Sequence, residues 1–284
     1  MILSYRTAMT VLHSAVLLFA LSGLFGKWLT LSPSLIVFGR AFFAAIALAI
    51  FIRIIKRQSL KLSRKLLFAM ALTGGILALH WLTFFQSIQI SNVAIGLITF
   101  ATFPVFVSIL EPLFFKEPVR KNSLLQALLT LVGVALVLPL QELSVSVLEG
   151  IYWGVLSALL FAVLALLNRK YVQQVSAKHV AFYQNLFASI VLLPVVLLVD
   201  VEITRTQLSL LIILGVIFTA VAHTLYNLAL IRLRAATVSI AVSLEPIYGI
   251  VAAYVFLNEP LTLHMVFGVT LVILTNIWSA KSVS

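Results

Sequence analysis

Long apolar runs alternate with short polar connections along the whole chain. A helix needs roughly 20 apolar residues to cross about 30 Å of hydrocarbon, because every backbone N–H and C=O there must be paired internally. Ten runs reach that length, near residues 11–29, 35–52, 66–86, 93–115, 122–140, 151–168, 180–199, 208–231, 236–257 and 262–279. The first, Val11 to Leu29, is longer than a signal-peptide core, ends in Lys27 and Trp28 and has no small-residue cleavage site, so it reads as a retained span. The pattern predicts an all-α membrane protein with ten transmembrane helices.

Composition agrees, since 63% of the residues are hydrophobic and 10% charged, leaving too little polar surface to cover a soluble globule. The net charge of +11 would suggest a nucleic-acid partner in a soluble protein. Here the bases sit in short loops, and no such partner is expected. With the N-terminus in the cytoplasm, Arg6, the group from Arg53 to Lys65, Lys116, Arg120, Lys121, Arg169, Lys170, Lys178, Arg232, Arg234 and Lys281 all face inward. Arg205 falls outside, with Glu142, Glu149, Asp200, Glu202 and Glu259. Miscounting the spans by one would scramble this sorting, so it predicts ten spans with both termini cytoplasmic. Cysteine is absent, which excludes disulfides, thiolate metal sites and cysteine nucleophiles.

The chain also repeats itself. Asn92-Val93-Ala94, Pro104 and Lys116-Glu117-Pro118 recur as Arg234-Ala235-Ala236, Pro246 and Asn258-Glu259-Pro260, with the prolines and glutamates offset by 142 residues. A one-residue adjustment sets His80 opposite His223. Two residues align Phe43-Ala44-Ala45-Ile46 with Phe187-Ala188-Ser189-Ile190 and set Arg40 opposite Gln184. Five spans in each half is an odd number, so the second copy enters the membrane from the other side. Residues 1–141 and 142–284 are thus predicted to be two inverted five-helix repeats, an arrangement that supplies two near-equivalent packings around a site at the midplane.

Ser243-Leu244-Glu245-Pro246 followed by Asn258-Glu259-Pro260, with Pro104 and Lys116-Glu117-Pro118 in the first half, resembles the EamA-type members of the drug/metabolite transporter superfamily. The resemblance covers about residues 10–280. Phe103 stands where the second half has Glu245, and Glu111-Pro112 is additional. The resemblance implies a central cavity lined by spans one to four and six to nine, with spans five and ten peripheral. It also implies solute transport, often export of amino acids or other metabolites, across the cytoplasmic (inner) membrane of a bacterium.

Ionisable side chains inside spans are costly to insert and ask for a partner or a role. Glu245 lies about 13 Å from the inner end of span nine at 1.5 Å per residue, where Pro246 removes a backbone donor. It is the candidate for binding a cation or exchanging a proton, or else it braces the proline kink. His80 and His223 lie about 22 Å from opposite ends of their spans, and their symmetric placement makes them candidates for lining a cavity. Trp81, Tyr226 and Asn227 share their helices, Gln184 belongs to the cluster Tyr183-Gln184-Asn185, and Tyr248 follows Pro246. Aromatic walls with a few hydrogen-bonding groups suit an organic solute better than a bare ion. Arg40, about five residues inside span two, either attracts a carboxylate or snorkels to the headgroups. Glu111 is expected to pair with Lys116 or another inner-loop base, and Glu117 and Glu259 to cap or gate span ends.

These residues predict a secondary transporter working by alternating access, coupled to protons, exchange or the solute's own gradient. It would bind a small-molecule substrate and membrane lipid, with no metal and no cofactor, and could form a homodimer through spans five and ten. There is no P-loop, so ATP coupling is not encoded in the chain. The alternatives are a membrane-embedded lipid-modifying enzyme, for which clustered acid/base residues at headgroup level are lacking, and a passive channel, for which a ring of like charges is lacking.

Overall fold

The computed structural model describes residues 3–118, 121–137, 144–200, 202–258 and 263–283. Helices stand at all ten places where apolar runs occur, and no strand is found among the described residues. Eight of these helices are long and apolar enough to cross a membrane. They are α1 (Tyr5–Trp28), α2 (Pro33–Ile55), α3 (Arg64–Ile90), α4 (Val93–Phe115), α6 (Val145–Tyr171), α7 (Ala177–Leu197), α8 (Arg205–Leu230) and α9 (Ala235–Leu257). The other two, α5 (Lys121–Val137) and α10 (Leu263–Val283), carry shorter apolar stretches at Leu124–Gly133 and Val266–Thr275. Arg120, Glu142, Glu259, Pro260 and the expected junction at 141/142 lie outside the described residues.

Short polar side chains set where the helices begin. An N-cap oxygen satisfies one of the amides that the first turn leaves without a partner. Thr7 N donates to Ser4 Oγ at 3.1 Å, Ile95 N to Asn92 Oδ1 at 2.8 Å and Val147 N to Ser144 Oγ at 3.3 Å. Thr204 and Gln207 cap each other reciprocally at the start of α8.

Helices α4 and α9 each stop and restart in mid-course. The first runs Val93–Phe100, breaks at Ala101 and Thr102, and resumes as Phe103–Phe115. The second runs Ala235–Val242, breaks at Ser243 and Leu244, and resumes as Glu245–Leu257. Pro104 and Pro246 occupy the first turn of the resumed segments. There the missing N–H costs nothing and the fixed φ favours a new helix. Both segments end on a left-handed residue, Lys116 (φ 53°) and Asn258 (φ 56°).

Packing follows the small residues. Helix α3 lies along α6 and α7, α2 along α7, α1 along α8 and α9, α4 against α6 and α9, and α5 against α10. Two glycines allow close, matching crossings. A Cβ on Gly74 of α3 would stand 2.6 Å from Phe187 Cβ, 2.9 Å from Gln184 O and 3.2 Å from Ala188 N on α7. A Cβ on Gly215 of α8 would stand 2.6 Å from Phe43 Cβ, 2.9 Å from Arg40 O and 3.2 Å from Ala44 N on α2. The two crossings repeat each other atom for atom, and they use the residues that the sequence alignment pairs. Large apolar side chains such as Phe68, Leu113, Leu197, Phe256 and Phe267 point outward. An outer surface of that kind is stable with hydrocarbon as the solvent, and the chain is a multi-pass membrane protein.

Candidate functional site

At the centre, side chains from α1, α2, α3, α4, α6, α8 and α9 enclose a small cavity. Phe19, Trp81, Phe84, Phe100 and Phe161 form its aromatic wall, with Ser22 beside them, and Arg40, His80, His223 and Glu245 supply its ionisable groups. About 20 Å³ is open to the centre of a water molecule, enough for about one water. The site is therefore closed around little more than its own side chains.

Arg40 does not snorkel, since only 1% of its surface is exposed. Its Nε donates to Thr219 Oγ1 at 3.0 Å, and its guanidinium carbon lies 4.1 Å from the Trp81 ring centre, a cation–π arrangement. Thr219 is available because Val216–Val221 forms a π-helical turn within α8. The Thr219 hydroxyl donates back to Leu214 O at 2.8 Å, five residues earlier. Gly215, just before that turn, lets the Arg40 backbone approach. One seam thus fixes both the backbone and the side chain of Arg40.

Glu245 opens the resumed segment of α9, with its carboxylate at a helix N-terminus where negative charge is favoured. It is 4% exposed. Among the described residues the ion pairs are Arg169–Glu111, Arg169–Glu117 and Arg234–Glu117. Arg40 and Glu245 thus share the cavity without a nitrogen and an oxygen approaching within 4.0 Å.

His80 leans on Ser157 of α6. Its Nδ1 stands 2.8 Å from the serine hydroxyl and 3.1 Å from the serine carbonyl, while that hydroxyl donates to His80 O at 3.1 Å. A carbonyl can only accept, so this arrangement assigns the proton of the neutral ring to Nδ1 and leaves Nε2 as an acceptor. His223 meets Trp81 edge-on at 5.0 Å and Phe19 at 5.3 Å, and its Nδ1 is buried without a partner.

The structure therefore gathers Arg40, His80, Trp81, His223 and Glu245 around one cavity, although the two histidines belong to helices far apart in sequence. Gln184, Tyr226 and Asn227 are buried but do not line it; of the three, the Tyr226 ring lies 5.8 Å from that of Phe19 and 5.5 Å from that of Phe161. Gln184 Nε2 donates to Asn168 Oδ1 at 2.5 Å. Asn168 Nδ2, Gln184 Oε1, Asn185 Oδ1, the Tyr226 hydroxyl and both amide atoms of Asn227 are buried and unpartnered. Tyr248 lies elsewhere, in a separate groove of about 350 Å³ whose lining includes Met9, His13, Thr237 and Ile277. Sequence reasoning did not single out Thr219, Ser157 or Phe161, because a threonine, a serine or a phenylalanine inside an apolar helix carries no signal of its own.

One end of the bundle is closed by charge. Glu111 Oε1 accepts from Arg169 Nη1 at 2.7 Å and from Ala235 N at 2.9 Å, and Oε2 from Ala236 N at 3.1 Å. Arg169 also reaches Glu117 at 2.9 Å, and Arg234 pairs with Glu117. The broken helix α4 is thereby held to α6 and to the N-terminus of α9. At the opposite end Lys27 Nζ donates to Ser91 O at 3.0 Å and Gln207 Nε2 to Thr30 Oγ1 at 2.8 Å. No group of three or more metal-ligating side chains converges among the described residues.

Known proteins share this pattern. The model of the EamA-like transporter family matches twice, over residues 6–138 and 148–279. An uncharacterized transporter of Bacillus subtilis (strain 168) is 26% identical over 203 residues, which is 70% of this chain and 65% of that protein. An S-adenosylmethionine uptake transporter of Rickettsia conorii is 27% identical over 244 residues, 86% of this chain and 81% of its own. A solved crystal structure superposes with a TM-score of 0.79 over 98% of this chain and 99% of its own at 16% identity, a likeness of fold alone.

Proposed function

Taking as premise that the chain belongs to the EamA-like transporter family, and with it to the drug/metabolite transporter superfamily, we propose that it is a secondary carrier. In this reading it moves a small organic solute, an amino acid or related metabolite, across the cytoplasmic membrane of a bacterium, with export as the net direction. The observation that carries the reading is the closed central cavity, where Arg40 and Glu245 face the same aromatic-walled space without forming a direct ion pair. Buried charges held apart lack the hydrogen bonds of a direct pair, and a solute that brings hydrogen-bonding or charged groups between them would supply those bonds.

In the same reading all ten helices cross the membrane, as two inverted repeats divided near 141/142, with both termini cytoplasmic. The repeated crossings of Gly74 and Gly215, the paired breaks in α4 and α9 and the double match to one family model support it. Alternating access would open first one end of the bundle and then the other around the cavity. His80, Trp81 and His223 would line the solute site, and Gln184, Tyr226, Asn227 and Tyr248 would meet solute when the bundle opens. Glu245 is the carboxylate through which protons would act if transport is proton-coupled. A homodimer would use the outer faces of α5 and α10.

Counterflow in proteoliposomes tests the carrier. Vesicles loaded with unlabelled amino acids, nucleosides or S-adenosylmethionine should accumulate the matching labelled solute faster than empty vesicles, and the flux should saturate. S-adenosylmethionine belongs in the series because relatives are named for its uptake. Flux that rises linearly with concentration and shows no trans-stimulation would identify a channel instead. Asymmetric gradients across vesicles of known orientation then decide export against uptake.

A further inference from the structure

We infer that the end of the bundle where α2, α3 and α7 meet is a binding site for the phosphate headgroup of an anionic phospholipid. Lys56 and Lys178 take the phosphate, Arg53, Arg57 and Lys61 surround it, and Ile54 and Ile55 meet the acyl chains. The inference needs only the membrane setting of the chain and stands apart from the carrier reading.

The cations of this corner converge, although they come from distant parts of the sequence. The Lys56 ammonium lies 5.5 Å and the Lys178 ammonium 5.9 Å from the centre of the same Phe51 ring. Arg53 stands on the π-helical turn Phe51–Ile55 that ends α2, a rare form that recurs at functional sites. Arg57 follows in the left-handed region, with φ 51°. The connection from there to α3 is strapped to α7. A carbonyl can only accept, so His179 Nε2 donates to Ser59 O at 3.0 Å, and the Tyr183 hydroxyl donates to Leu60 O. Lys61 N donates to Ser59 Oγ at 3.1 Å within the same connection. The bases are carried on a fixed frame.

No carboxylate answers them. The chain has no acidic residue before Glu111 and none between Glu149 and Asp200, so α2, α3, α7 and the connection between α2 and α3 carry no Asp or Glu. Glu111 and Glu117 are engaged by Arg169 and Arg234. Orientation in a membrane asks for an excess of bases at one end, but it does not ask two lysines far apart in sequence to share one ring. Like charges gathered in this way repel, and a ligand with concentrated negative charge relieves the repulsion. Beside the bases, Ile54 and Ile55 are 68% and 64% exposed. A cation cluster that continues into outward apolar surface matches a headgroup with its acyl chains better than a soluble anion, and basic clusters next to membrane helices attract anionic lipid.

The full chain, purified in a neutral detergent and titrated with phosphatidylglycerol or phosphatidylcholine, tests the site. Phosphatidylglycerol should raise the melting temperature saturably and be retained as a discrete adduct in native mass spectrometry, and phosphatidylcholine should do neither. Each charge removed should weaken the effect about 5-fold, so Lys56→Gln combined with Lys178→Gln should raise the half-effective concentration roughly 25-fold. Arg6→Gln combined with Arg232→Gln removes the same charge from exposed positions on α1 and on the connection from α8 to α9, and at physiological salt should change it less than about 2-fold. Equal weakening by the two pairs would reveal diffuse attraction to the whole basic end, and equal stabilisation by the two lipids would reveal no headgroup site; either overturns the inference. Glycerol 3-phosphate and inorganic phosphate form the last arm. Neither should stabilise the chain or displace the lipid at matched concentration, and full stabilisation by either would reassign the corner to a soluble phosphate. The lipid series on the unmodified protein decides the matter even if the double variant fails to fold.

Discussion

The Nε of Arg40, on α2, donates to the hydroxyl of Thr219, on the π-helical turn of α8, at 3.0 Å. This bond links a buried cation to the least regular turn of a neighbouring helix. An extra residue in that turn leaves Thr219 free to face α2 while its own hydroxyl returns to Leu214 O. Such turns are rare within α-helices and occur frequently at functional sites.

Thr219→Val keeps the shape and removes the acceptor. A hydrogen bond to a charged group contributes about 1.5–3 kcal/mol, so the variant should melt earlier and bind solute roughly 10-fold more weakly through a less ordered Arg40. Thr219→Ser should restore most of both properties. Unchanged melting and unchanged affinity in Thr219→Val would show that Trp81 alone holds the guanidinium.

The glycine crossings predict a matched pair with an internal control. Gly74→Ala and Gly215→Ala each push a methyl against backbone atoms of the facing helix at 2.9 and 3.2 Å. Overpacking of this kind costs about 1–3 kcal/mol. Gly75→Ala meets nothing within 4 Å and gains about 1 kcal/mol of helix propensity. Thermal unfolding in detergent should therefore rank Gly75→Ala above the parent chain and the other two below it. Equal melting of Gly74→Ala and Gly75→Ala would contradict the packing.

Closure of the charged end is testable because the chain has no cysteine of its own. Arg169→Gln removes one partner from both Glu111 and Glu117, while Ala235 and Ala236 still hold Glu111. The end should loosen rather than the fold collapse, at a cost of about 1–3 kcal/mol. A single cysteine at Asn227, fully buried in the closed bundle, should then react several-fold faster with an impermeant thiol reagent from that side. No change in the labelling rate would place the closing contacts elsewhere.

Ser157→Ala tests the orientation of His80. It removes the hydroxyl 2.8 Å from Nδ1 but leaves the Ser157 carbonyl position at 3.1 Å. A modest loss is expected, about 0.5–1.5 kcal/mol for one neutral hydrogen bond, read as a small drop in melting temperature with transport retained. Abolished transport at normal stability would assign the hydroxyl itself to the solute.

Much of the fold is written in the one-dimensional pattern. Apolar runs foretell where each helix stands, eight of them with a spanning length and α5 and α10 with shorter apolar stretches, and Ser4, Asn92, Ser144 and Thr204 mark starts by their chemistry. The prolines in α4 and α9 announce an irregularity, but not that it is a full stop and restart at Ala101-Thr102 and Ser243-Leu244. The site is less legible. Depth along a span follows from counting residues, which singled out Arg40, His80, His223 and Glu245. Rotation about the helix axis does not follow, since a helix apolar on all sides has no marked face. Hence Gln184, Asn227 and Tyr226 are buried outside the cavity lining and Tyr248 lines another groove, and Thr219 owes its position to a π turn that hydropathy does not encode.

The tightness of the empty cavity has a consequence for every titration made on this protein. A solute must part the aromatic walls before it can touch Arg40 or Glu245, and the free energy of parting is drawn from its binding. Measured dissociation constants will therefore report contact strength diluted by the rarity of the parted form. A substitution that props the walls open should tighten binding without adding a single new contact. It should also let water, and whatever dissolves in it, slip through a membrane that the resting bundle keeps dry.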